Sequence, residues 1–115
     1  MNAVPTIFVI FGVTGDLSQK KLLPALFTLF KKGLLPKKFS IVGFSRRPWS
    51  HADLHAFVST TLANKGISDD LTAFLGHIEY AQGVFDDIAA YTALKKQLDA
   101  IDERWGQCSN KLLYL

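Results

Sequence analysis

Two short stretches of this chain carry residue types suited to holding phosphate. The first is Gly12-Val13-Thr14-Gly15-Asp16-Leu17-Ser18-Gln19, where two glycines follow an apolar run and precede a helix-like segment. A strand that ends in a glycine turn and re-enters as a helix aims unpaired backbone N–H groups at one small volume. The positive end of the helix dipole points there too. That junction suits the diphosphate of a dinucleotide. The second stretch is Ser45-Arg46-Arg47, at the end of another apolar run. A guanidinium offers a planar fork of donors that matches phosphate oxygens.

Within the first stretch, Gly12 permits the turn and Gly15 lets the backbone approach a diphosphate. Ser18 is small enough to stand where a third glycine would meet the strand, and Thr14 offers a hydroxyl to a phosphate oxygen. Asp16 is expected to cap the helix rather than touch an anion. The spacing G-x-x-G-x-x-S differs from G-x-G-x-x-G, and no Gly-Lys-[Ser/Thr] completes a P-loop. In a dinucleotide fold the end of the second strand meets the adenosine ribose, and an NAD site places Asp or Glu there. Here Ser45 is followed by Arg46 and Arg47, which favours a 2′-phosphate and therefore NADP. On spacing alone, a plain strand-to-helix turn and two solvated arginines remain open.

The elements that must position these residues follow from hydrophobic periodicity. Residues 6–11 are continuously apolar apart from Thr6, rich in β-branched and aromatic types, and read as a strand buried on both faces. From about Asp16 to Lys32, Leu22, Leu23, Leu26, Phe27 and Phe30 form a helical stripe. Pro24 either kinks that helix or opens its main part, and Gly33 closes it. Phe39 to Phe44 is a second strand. Ser50 caps a helix of about 51–65 bearing Leu54, Phe57, Val58 and Leu62, closed by Gly66. Asp69 or Asp70 starts a short helix to about Gly76, and His77 to Ala81 is a weak third strand. Asp86 or Asp87 caps a helix of about 88–103 with Ile88, Tyr91, Leu94, Leu98 and Ile101 on one side. Lys111 to Leu115 reads as a fourth strand.

The order β-α-β-α-β-α-β predicts an α/β fold with a Rossmann-like, doubly wound parallel sheet. The last strand runs apolar to the final residue without a turn or polar tail. That pattern is expected of the N-terminal part of such a domain, truncated at the fourth strand.

The chain has 115 residues, 49% hydrophobic and 20% charged, with a formal charge of +3. These values describe one ordinary globular domain. Eight of the thirteen lysines and arginines fall between positions 19 and 47, which favours a small anionic ligand over a nucleic-acid surface. One cysteine, Cys108, excludes an intrachain disulfide and fits a reducing compartment. No apolar run reaches the roughly 18–20 residues of a membrane span. No signal core precedes the first strand. The expected location is the cytoplasm.

Gly12-Val-Thr-Gly-Asp-Leu-Ser-Gln-Lys-Lys21-Leu-Leu-Pro24, Gly33-Leu-Leu-Pro36, Ile41-Val-Gly-Phe-Ser-Arg46, Gly83-Val-Phe-Asp-Asp87 and Asn110-Lys-Leu-Leu-Tyr-Leu115 together resemble the amino-terminal region of the glucose-6-phosphate 1-dehydrogenases. The resemblance implies a Rossmann-like NADP-binding domain over residues 1–115, with residues 12–19 as the diphosphate loop and Arg46 on the 2′-phosphate. It puts Gly83 and Val84 near the adenine, and Lys21 on the substrate side of the cofactor. The family commonly carries Lys or Arg where this chain has Gln19. The implied reaction is oxidation of glucose 6-phosphate by NADP to the lactone, the first step of the pentose phosphate pathway. The family's catalytic histidine and sugar-phosphate segment fall beyond residue 115. So does the domain through which the full protein is expected to form a homo-oligomer. The fragment itself is then expected to be inactive.

His51, His55 and His77 match neither family segment and read as surface or structural residues, while Trp49 and Trp105 read as packing. Two other readings stand beside the resemblance: a non-catalytic, NADP-sensing binding module, and another NADP-dependent dehydrogenase built on the same half-fold.

Overall fold

A computed structural model describes residues 4–84 and 87–114. Four strands form one parallel sheet: β1 (Thr6–Phe11), β2 (Phe39–Ser45), β3 (Ile78–Gln82) and β4 (Asn110–Tyr114). Their spatial order is β3-β2-β1-β4. The chain steps outward from β1 through β2 to β3 and then returns to the other side of β1. The direction of winding therefore reverses next to β1, which defines the switch point of a doubly wound sheet.

Alternate residues of the strands feed two cores, because successive side chains point to opposite faces. On one face Phe8, Ile10, Phe39 and Ile41 pack with α1 (Leu23–Lys31), α2 (His51–Asn64) and the short α3 (Thr72–Leu75). On the other, Ile7, Val9, Val42 and Phe44 pack with Ala90, Leu94, Leu98 and Ile101 of α4 (Ile88–Trp105). Both faces are covered, as the continuous apolar strands require.

The helix after β1 differs in detail from a single α-helix. Helical structure starts at residues 16–17, passes through a π-helical turn over Ser18–Leu22, and continues as α1. The Leu23 N–H donates to the Ser18 carbonyl, five residues back. Pro24, the second residue of α1, has no N–H, and its ring excludes a carbonyl four residues behind it. The wider turn accommodates both constraints.

The caps of the remaining helices follow local chemistry. Ser50 and Asp53 form a reciprocal capping box on α2, with bonds of 2.9 and 3.2 Å. Asp70 accepts the Thr72 N–H at 3.0 Å at the start of α3, while Asp69 pairs with Lys31 at 2.7 Å. Asp87 accepts the Ala89 N–H at 3.0 Å on α4. Asp86 and Leu115 lie outside the described residues.

Two expectations need correction. Ile88, placed on the buried side of α4, is 82% exposed. It is the first residue of the helix, and the first α4 side chain to reach the core is Ala90. Asp16 does not cap the first helix: no side-chain capping bond is made there, and the Gly15 carbonyl takes the Gln19 N–H at 3.1 Å. Glycine thus stands at the cap position.

The crossing of α4 over the sheet depends on Gly83. A Cβ there would lie 2.4 Å from the Ala90 Cβ and 2.7 Å from Cζ of Phe44. Gly83→Ala should destabilise the fold by about 1–3 kcal/mol through overpacking. An unchanged denaturation midpoint would contradict this.

The entry to β4 is tied by Asp102, which accepts from Lys111 Nζ at 2.9 Å and Ser109 Oγ at 2.5 Å. The Lys111 ammonium and then the Ser109 hydroxyl hold this carboxyl below its usual value. The stability from a lowered carboxylate is present above the unfolded value of about pH 4 and is lost as pH falls through the lower folded value. The stability gap between wild type and Asp102→Asn should therefore be constant near neutrality and shrink below about pH 4. A gap independent of pH in denaturation at pH 3 and pH 6 would exclude this contribution.

Candidate nucleotide-binding site

Parallel register places three loops side by side. Phe11 is opposite Phe44 in the β1–β2 pairing, and Ser45 is opposite Gln82 in the β2–β3 pairing. The residues that follow are Gly12, Arg46 and Gly83. All three leave the sheet at the carboxyl ends of the strands, where ligands of open α/β sheets bind.

The loop after β1 is fixed by its own backbone. Gly12 adopts a positive φ of 70°, and its N–H and that of Val13 both donate to the Phe44 carbonyl, at 2.8 and 3.2 Å. The Val13 side chain is fully buried, and a Cβ on Gly43 would come within 2.9–3.0 Å of its methyl groups. The Gly15 N–H donates back to the Gly12 carbonyl at 2.8 Å, and a Cβ on Gly15 would lie 3.1 Å from the same oxygen. Gln19 Nε2 donates to the Thr14 carbonyl at 2.9 Å, latching the loop to the helix it feeds.

This wiring decides which amides can serve an anion. Those of Gly12, Val13 and Gly15 are engaged within the protein. Those of Asp16, Leu17 and Ser18, at the head of the helix, have no partner among the described residues. Ser18 is 2% exposed and its Oγ also has no hydrogen-bond partner. That hydroxyl is closed off from solvent, so the amides, and not the hydroxyl, are the donors available to a ligand here.

A cleft of about 810 Å³ opens between the three loops. Gly12 and Thr14 line it from the first, Phe44, Ser45, Arg46 and Arg47 from the second, and Gly83 and Val84 from the third. A smaller hollow of about 310 Å³ lies across the first loop, bounded by Gly12, Gly15, Asp16, Leu17 and Ser18 with Ile10, Leu22 and Tyr114 among its other walls. The residues singled out from the sequence thus divide between two hollows that share Gly12. Three line neither: the buried Val13, the half-buried Gln19, and Lys21, which is exposed on the π-helical turn.

The two arginines differ in setting. Among the described residues neither is in an ion pair. The Arg47 guanidinium carbon lies 5.5 Å from the Trp49 ring centre, in cation–π range. The Arg46 side chain has no such neighbour among the described residues, and its carbonyl accepts weakly from Gln82 Nε2 at 3.4 Å. Ser45 is buried, with its hydroxyl 2.5 Å from Tyr80 Oη. The hydroxyl is therefore committed to the protein, and no carboxylate stands at the end of β2.

The histidines bond to backbone. His51 Nδ1 accepts the Tyr80 N–H at 3.1 Å, His55 Nε2 lies 2.8 Å from the Ile78 carbonyl, and His77 Nδ1 lies 2.9 Å from that of Phe39. Tyr80 was not singled out by sequence. A tyrosine in a short apolar strand carries no spacing signal, although a buried phenol needs a partner for its hydroxyl.

The family model described as "Glucose-6-phosphate dehydrogenase, NAD binding domain" matches residues 9–115. This chain belongs to the glucose-6-phosphate dehydrogenase family. Glucose-6-phosphate 1-dehydrogenase of Chlamydia muridarum is 38% identical over 116 residues, covering 96% of this chain and 23% of that protein. The Bacillus subtilis enzyme is 34% identical over 112 residues, covering 95% and 22%. A solved glucose-6-phosphate dehydrogenase in complex with glucose 6-phosphate superposes with a TM-score of 0.86 at 34% identity, over 100% of this chain and 25% of that one. The chain spans about a quarter of the length of these relatives. The match is to the domain that binds a nicotinamide cofactor, and the fold is the Rossmann-like amino-terminal one.

Removing the Gln19 latch should loosen the loop without unfolding the domain. Gln19→Ala is expected to cost about 0.5–1.5 kcal/mol, the net worth of one hydrogen bond. It should also speed exchange of the Gly15 amide, whose bond to the Gly12 carbonyl closes the loop. Unchanged exchange there would show that the latch has no hold on the loop.

Proposed function

We propose that this chain is the NADP-binding part of a glucose-6-phosphate 1-dehydrogenase. One observation carries the reading: a single cleft is lined by the loop after β1 and by Arg46, with Ser45 standing where an acidic residue would repel a 2′-phosphate. The free amides of residues 16–18 fit a diphosphate crossing the wall between the two hollows. The adenosine half then belongs in the larger hollow, with Gly83 and Val84 beside the adenine. The nicotinamide half belongs toward the smaller one.

The roles of individual residues follow. Asp16, Leu17 and Ser18 bind through backbone N–H groups. Val13 acts through its buried anchor rather than by touching ligand. Thr14 faces the larger hollow, where its side chain can reach a phosphate oxygen. Arg46 grips the 2′-phosphate, with Arg47 adding charge from its seat on Trp49. Lys21, exposed on the π-helical turn, is assigned to the substrate side of the cofactor on the family resemblance. Bound NADP would supply the hydride acceptor for carbon 1 of glucose 6-phosphate. A base must take the hydroxyl proton as the lactone forms, and the three histidines here are bonded to backbone. That base and the sugar-phosphate contacts are assigned to sequence of the kind the relatives carry outside the matched quarter.

The family, whose relatives here include a chloroplastic member, leaves the compartment to this chain's own features. No described helix is long and apolar enough to cross a membrane, and the one cysteine is an exposed thiol. A cytoplasmic setting suits that thiol. The 115 residues alone should form no NADPH from glucose 6-phosphate.

Arg46→Ala should weaken NADP binding by about 1.5–3 kcal/mol, the scale of a charged hydrogen bond, and leave NAD nearly unchanged. Calorimetric titration of both cofactors reads the difference. Equal losses for the two would remove Arg46 from the 2′-phosphate.

A further inference from the structure

Tyr80 sits in β3 with its ring 5.9 Å from that of Trp49, and it is only 6% exposed. Its hydroxyl reaches the end of β2, where Oη lies 2.5 Å from Ser45 Oγ and 2.5 Å from the Arg47 carbonyl oxygen. The Ser45 carbonyl oxygen is farther, at 3.2 Å. The Arg47 N–H in turn points at Ser45 Oγ, at 3.3 Å.

Proton counting gives these contacts one closed arrangement. The Arg47 amide can only donate, so Ser45 Oγ accepts from it. The Arg47 carbonyl can only accept, so Tyr80 Oη donates to it. Ser45 Oγ–H then donates to Tyr80 Oη, and the ring closes with three hydrogens and three acceptors. Each hydroxyl gives and takes one bond, so the bonds polarise one another. Both backbone polar groups of Arg47 are clamped. Tyr80 is itself held, since its N–H donates to His51 Nδ1 at 3.1 Å and its carbonyl accepts from Gln97 Nε2 at 3.3 Å.

We propose that Tyr80 is a positioning residue for recognition of the 2′-phosphate. Arg46 lies between Ser45 and Arg47, both locked into this ring. Its side chain is thereby presented to the cleft from a turn that β3 holds rigid. Tyr80 lines no part of the cleft, so its effect passes through Arg46 and Arg47. The inference rests on reading the cleft as the site of a 2′-phosphorylated nucleotide.

The test compares 2′,5′-ADP with 5′-AMP, which lacks the 2′-phosphate, in calorimetric titrations of wild type, Tyr80→Phe and Ser45→Ala. Tyr80→Phe keeps the ring against Trp49 and removes only the hydroxyl. It should weaken 2′,5′-ADP roughly three- to tenfold, the range set by the net worth of one hydrogen bond. Binding of 5′-AMP should stay unchanged. Ser45→Ala opens the same ring at another point; because Ser45 also lines the cleft, its readout is the ratio of the two affinities, which should fall by the same factor, and that ratio decides the matter if Tyr80→Phe fails to fold. Equal losses for both nucleotides, or no loss in either variant, would overturn the positioning role. If wild type itself does not prefer 2′,5′-ADP, the reading of the cleft falls and the role of Tyr80 falls with it. If wild type prefers it and the variants keep that preference, only the role of Tyr80 is lost.

Discussion

The carbonyl oxygen of Phe44 is the point on which the site depends. It accepts the amides of Gly12 and Val13, so the loop after β1 is bound to the strand that ends in Arg46. Both residues meet that one oxygen because Gly12 takes a left-handed conformation, which costs glycine little and other residues more. The turn thereby directs Val13 into the core and brings Gly15 back onto the Gly12 carbonyl. The amides that follow, at 16–18, are left at the head of a helix. One shared acceptor thus links the part that suits a diphosphate to the part that suits a further phosphate.

The sheet turns that local link into a site. With the order β3-β2-β1-β4 the winding reverses beside β1, and the first loop stands as a wall between two hollows. A ligand with two halves joined by a diphosphate has the matching shape, with its charged centre over the wall and one half in each hollow. Polar satisfaction agrees with this picture. The amides of Gly12, Val13 and Gly15 are bonded within the protein, whereas those at the head of the helix have no partner among the described residues. An anion placed at the head of the helix would give those amides the partners they lack.

Much of this was legible in the amino-acid order, because it rests on strong local signals. The continuous apolar runs around Val9 and Val42 gave the buried strands, and Ser50 marked the start of α2. The glycine turn and Arg46 marked a shared cleft. What escaped detection depends on contacts distant in sequence or on competition between local options. Pro24 opens the main helix, one of the two options it offered, but that the turn before it is π-helical carries no spacing signal. Asp16 looked like a cap, but the Gly15 carbonyl began the helix one position earlier. Ile88 fitted the apolar stripe of α4, yet Ala90 made the first core contact. The ring through Ser45, Tyr80 and Arg47 joins residues 35 apart, and no spacing rule reveals it.

The amides heading the first helix and the guanidinium of Arg46 are proposed to bind one nucleotide together. Backbone amide shifts of the isotope-labelled chain, followed while NADP and then NAD are titrated in, address it most directly. Asp16, Leu17 and Ser18 should respond to both cofactors, with Arg46 responding strongly to NADP alone. Shifts confined to other parts of the surface, or an Arg46 response to NADP while residues 16–18 stay still, would contradict it.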